Sequence, residues 1–97
     1  MFEEIKKKYP KAWDKFKDYY RRTYAPEEVQ FEALIGHLFT FFDEQGIYIT
    51  IEYYVNLYTN ERWRYWISER IGSVFESRTE AWTAAFTKAF EILEGKI

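Results

Sequence analysis

The chain has 97 residues, enough for a single domain over 1–97 whose folding buries roughly 60–65% of the unfolded surface. Hydrophobic residues make up 47% and charged residues 31%, the ordinary globular class, but 23% are aromatic: nine Phe, nine Tyr and four Trp. Cysteine is absent, so disulfides and thiol chemistry are excluded and a reducing, cytoplasmic setting is expected.

The net charge of −2 hides a segregation. Residues 1–24 hold eight Lys/Arg against four Asp/Glu, residues 25–60 hold six acids and no Lys or Arg, and residues 61–97 hold six of each. Basic and acidic segments packed side by side would screen each other; a basic face for an acidic partner is the sharper alternative. Residues 1–24 open on Glu3, Glu4 and Lys6 to Lys8 and hold no apolar run, so a secretory leader is not expected there. No stretch approaches the roughly 18 uncharged residues that span a membrane, so no membrane association is expected.

Phe2, Ile5 and Tyr9, then Tyr9, Trp13, Phe16 and Tyr20, recur at helical spacing and predict helices over 2–9 and 10–24. Pro10 suits a first helical turn and disfavours a helical residue before it, so a break falls at Tyr9–Pro10. Pro26, followed by Glu27 and Glu28, starts the next predicted helix, which runs to about Gln45 on Phe31, Leu34, Ile35, Leu38 and Phe42. Gly46 is its expected stop, and Gly36 within it is read as permitting close packing.

After Gly46 the period changes to two. Ile47, Ile49, Ile51, Tyr53, Val55 and Leu57 alternate with Tyr48, Thr50, Glu52, Tyr54, Asn56 and Tyr58. Residues 62–70 form a second strand with Trp63, Tyr65 and Ile67 on one side and Arg62, Arg64, Trp66, Ser68 and Arg70 on the other. A one-residue slip would swap faces. A three-residue turn at Thr59-Asn60-Glu61 therefore pairs Tyr58 with Arg62, Val55 with Tyr65 and Tyr54 with Trp66. A short third strand is expected at about 73–76. The closing helix starts at Ser77, which with Glu80 fits a capping box, and buries Trp82, Ala85, Phe86, Ala89, Phe90 and Leu93. The fold class is α+β: two N-terminal helices, an antiparallel hairpin with this short third strand, and a C-terminal helix. The helices pack on the Ile47/Ile49/Ile51/Tyr53/Val55 face.

Two resemblances meet on the last helix. Ser77-Arg78-Thr79-Glu80-Ala81, with Ala85, Ala89, Phe90 and Leu93, resembles the end of short bacterial and phage-encoded proteins. In those, a hairpin precedes a segment F-x-[ST]-R-x-E-A-x-x-A-A-x-x-K-A-F-E-I-L; the likeness covers about 46–94 and implies no activity. The same helix is similar to the final helix of double-stranded RNA-binding domains, matching its packing positions at Ser77, Ala81, Ala85, Ala89, Phe90 and Leu93. Of that family's phosphate-binding cations, Arg78 keeps one, while Thr79 and Trp82 stand at the other two. Its glycine-proline-histidine loop is absent from Thr59-Asn60-Glu61. The resemblance implies kinship of fold.

Little in the chain points to catalysis, cofactor or metal. His37 is the only histidine, and with Gln30 and Glu44 it forms a polar line along one helix edge. His37 and Glu44 stand two turns apart, roughly 10.5 Å of rise, too far to share a metal. No activated nucleophile accompanies His37, and the four glycines form no phosphate loop. Asp43 and Glu44 could serve as paired carboxylates; neutralisation by basic residues of the first helix is the expectation. The strongest candidate is the polar hairpin face, where Tyr54, Asn56, Tyr58, Arg62, Arg64 and Trp66 are expected to cluster, with Arg70 beyond them. Aromatic rings with arginine are the composition of protein-interaction hot spots, a partner protein or a second copy. They are also the composition of a nucleic-acid stacking platform, the alternative. Against it, Glu52 lies on the same face and the chain is acidic.

Overall fold

The computed structural model describes residues 2–21, 26, 29–54, 57–58 and 60–97. Helix α1 (Phe2–Lys8) and helix α2 (Pro10–Tyr19) part at Tyr9, whose φ of −130° and ψ of 61° lie outside the helical region, as Pro10 demands. The expected continuation of α2 to residue 24 ends sooner, because Tyr20 (φ −86°, ψ 76°) leaves the helical region; residues 22–24 lie outside the described set. Tyr9 gives α2 no side-chain cap. Glu94 supplies one from 82 positions away, its Oε1 accepting a 2.8 Å hydrogen bond from the Ala12 N–H.

Helix α3 (Phe31–Glu44) begins later than Pro26, because Gln30 is extended (φ −63°, ψ 139°) and starts the helix as its cap. The Val29 N–H donates to the Pro26 carbonyl at 3.1 Å; Glu27 and Glu28 lie outside the described residues. The stop is where the sequence puts it. Gly46 takes φ +75°, its N–H donates to the Asp43 carbonyl, and the Ile47 N–H reaches back to Phe42 at 2.9 Å. This is a Schellman motif with the apolar Ile47 folded onto the helix end. Gly36 is exposed with open space beside it, so it does not serve close packing.

Strands β1 (Ile49–Tyr53), β2 (Trp63–Ile67) and β3 (Arg70–Phe75) form an antiparallel sheet in that order. The register differs from the expected one. Ile49 faces Ile67, Ile51 faces Tyr65 and Tyr53 faces Trp63, so Tyr65 does not oppose Val55 and Trp66 opposes Thr50 rather than Tyr54. The cause is a turn inside the span read as one strand. Ser68, at φ 54°, and Glu69 reverse the chain so that Ile67 pairs with Arg70. With β2 ending there, the Ser68 N–H donates to the Tyr48 carbonyl and ties the start of β1 to the end of β2. The shift is even, so the faces survive it. The Tyr54 N–H then donates to the Arg62 carbonyl, and the link between the strands is longer than three residues. Val55, Asn56 and Thr59 lie outside the described residues. The third strand starts at Arg70, not 73. A bulge sets Gly72 and Ser73 against Tyr65 alone, and a Cβ on Gly72 would strike the Tyr65 ring.

Helix α4 (Arg78–Lys96) starts at Ser77, whose Oγ accepts from the Glu80 N–H at 3.1 Å. It contacts all three strands on one side and α2 on the other. Ala81, Ala85 and Ala89 bring its backbone close to these neighbours, while Phe86, Phe90 and Leu93 enter the core; Trp82 is half-buried. Trp13, Phe16, Phe41, Phe42, Phe86 and Phe90 are fully buried and meet at ring distances of 5.0–6.2 Å. Ile47, Ile49 and Ile67 join this core and Ile51 and Tyr65 pack against it, so the helices cover the odd-numbered face of β1 and β2. Tyr53, on the same face, lies 58% exposed beyond the helical cover.

Candidate interaction face of the sheet

The alternation of β1 and β2 sends Thr50, Glu52, Tyr54, Arg64 and Trp66 to the side opposite the core. Pairing with β3 adds Val74 beside Arg64 and Ile71 beside Trp66, and Ile71 is 51% exposed. None of these side chains belongs to the core or packs against it.

Arg64 is the centre of the face. Glu52 stands directly across from it, and Arg64 Nη2 donates to Glu52 Oε1 at 2.9 Å. Trp66, two residues on and therefore on the same face, donates its indole N–H to Glu52 Oε2 at 2.7 Å. One carboxylate thus takes a bond on each oxygen. The guanidinium lies 4.2 Å from the centroid of the Tyr54 ring and 5.6 Å from that of Trp66. The hydrogen bond from Arg64, then that from Trp66, holds the Glu52 carboxyl below the usual glutamate range. The same bond raises Arg64 further into its charged form.

Of the residues expected to cluster, Tyr54, Arg64 and Trp66 come together, although Tyr54 and Trp66 are bridged by Arg64 rather than being cross-strand partners. Arg62 continues the strand opposite Tyr54, its guanidinium donating to the Glu61 carbonyl at 3.3 Å. Tyr58 lies outside the sheet at 94% exposure. Arg70 is on the other face: pairing with Ile67 turns it to the helical side. Glu52 was expected on this face, but its part in holding Arg64 and Trp66 was not read from the sequence. Its parity and its charge relative to Arg64 were the signals available, but they single it out only once the register is known.

A second arginine cluster stands on the covered side. Arg78, the first residue of α4, lies 4.3 Å from the Trp63 ring centroid and 5.7 Å from that of Trp82. Tyr53 meets Trp63 edge-on at 5.1 Å. Among the described residues Arg78 forms no ion pair.

The other candidates stay apart. His37 is half-buried with its ring 5.2 Å from Tyr20. Asp43 and Glu44 are exposed, and among the described residues neither forms the expected ion pair with the first helix. No group of three metal-ligating side chains occurs among the described residues, and no helix among them is long and apolar enough to cross a membrane. No protein family, no curated protein and no solved structure matches the chain significantly.

Proposed function

We propose that the open sheet face is a protein-interaction surface and that the chain acts as a small non-catalytic binding domain, with Trp66 and Tyr54 as its anchors. The observation that carries this reading is the Tyr54–Arg64–Trp66 arrangement, held by Glu52 on a face that contributes nothing to the core. The Trp66 ring is held by its hydrogen bond to Glu52 and the Tyr54 ring lies against the Arg64 guanidinium, so both lose little freedom on binding. Rings and arginine also form the usual centre of binding energy at protein interfaces. The half-exposed Ile71 extends the surface across β3. Self-association is included in the reading, and a reducing compartment such as the cytoplasm is its setting.

The single-stranded nucleic-acid reading draws on the same two rings. The ion pair counts against it, because Glu52 already neutralises the cation between them.

Sedimentation across a concentration series, repeated with Trp66→Ala, tests the proposal. Reversible association weakened by about 2 kcal/mol or more in the variant supports a self-interface. A monomer at every concentration removes self-association and leaves a different protein partner. Labelled single strands titrated at two ionic strengths test the alternative: binding that collapses with salt would assign the face to nucleic acid.

A further inference from the structure

The helical side of the sheet carries a separate feature. Where α3 stops, β2 turns into β3 and α4 ends, a cleft of about 700 Å³ opens, within the range of small-molecule sites, roughly 300–1,000 Å³. Ile47 and Ile67, 2% and 6% exposed, form its floor, and the half-buried Ile92 is its accessible apolar wall. Two cations, Arg70 from β3 and Lys96 from the last turn of α4, also line it. Among the described residues neither has an ion-pair partner. Glu69 on the turn is the one acid in the lining, leaving the cleft a net single positive charge.

We infer that this cleft is a binding site for a small aliphatic carboxylate, its chain lying along Ile92 over the floor of Ile47 and Ile67 and its anionic head between Arg70 and Lys96. An apolar surface beside two cations matches an amphipathic anion. A neutral hydrocarbon would leave the cations unused, and a bare anion would leave the half-buried Ile92 wet. The site is independent of the open face, since Arg70 and Trp66 point to opposite sides of the sheet.

The test is a nuclear magnetic resonance titration of the full chain with octanoate, and in parallel with octanol and with acetate. Octanoate should give saturable shifts at Ile47, Ile67 and Ile92. Octanol and acetate should each bind about 10-fold more weakly or worse, the loss of one charge-assisted contact or of the apolar one. The double variant Arg70→Gln, Lys96→Gln should bind octanoate about 10-fold more weakly and octanol unchanged. Both side chains are exposed, so its melting temperature serves as the check on folding. Absence of saturation with octanoate overturns the inference. So does equal binding of octanol and octanoate, or a double variant that folds normally and binds octanoate as well as the parent.

Discussion

The two faces of the sheet each hold an arginine against two aromatic rings, and they treat its charge differently. On the open face Arg64 has Glu52 across the strand pair, and its side chain is 21% exposed. On the covered face Arg78 lies over Trp63 and Trp82 with no carboxylate partner among the described residues and stays exposed. Enclosing a guanidinium costs free energy unless a counter-charge comes with it, and cross-strand pairing places Glu52 where that charge is needed. Arg78 opens a helix whose dipole disfavours a cation, and it keeps its exposure to solvent. The open face is therefore organised by a local network, whereas the covered face draws its order from the core beneath it.

That contrast predicts where stability resides. The largest effect should come from the covered side: Phe90→Ala should lose about 3–5 kcal/mol in urea denaturation, because its ring touches Trp13, Phe16 and Phe42. Trp66→Ala should lose only about 1 kcal/mol or less, a cross-strand pair contribution. If the two variants lost comparable stability, the division between a structural face and a face free for binding would collapse.

Arg78→Ala should cost about 0.5–1 kcal/mol, the scale of an exposed cation–π contact. Thermal denaturation of the variant measures it; a loss several times larger would mean that Arg78 is enclosed much as Arg64 is. The smallest and most diagnostic effect is in acid. The carboxyl of Glu52 is held below its usual range by Arg64 first and Trp66 second. Its contribution is therefore complete above the ordinary glutamate range and disappears as pH falls through the depressed value. The gap in melting temperature between the parent and Glu52→Gln should accordingly narrow on acidification. The gap between the parent and Arg78→Ala, with no carboxylate involved, should not follow it.

Much of this architecture is legible in the chain because it is local. The break before Pro10, the stop at Gly46 and the cap at Ser77 depend on the backbone angles and hydrogen bonds of a few adjacent residues. The candidate site was legible in part: alternation placed Tyr54, Arg64 and Trp66 on one face, but not in their contacts. A parity argument excludes odd slips of the hairpin and is blind to even ones, so it could not separate the expected register from the observed one. The polar run Ser68-Glu69-Arg70 was the available sign of the turn, and with it Arg70 would have been moved to the other face.

The sequence by itself thus determined which residues can turn inward, where three of the helix boundaries fall, and that a period-two hairpin leads into a capped closing helix. The tertiary structure alone decided which residues meet. Ile49 settles against Ile67 because the chain turns back at Ser68, and this brings Glu52 to Arg64 and Trp66. Glu94 caps α2 because α4 lies along it. Such contacts join positions 12 to 82 residues apart, and they form only when the packing of distant elements has fixed the distance between them.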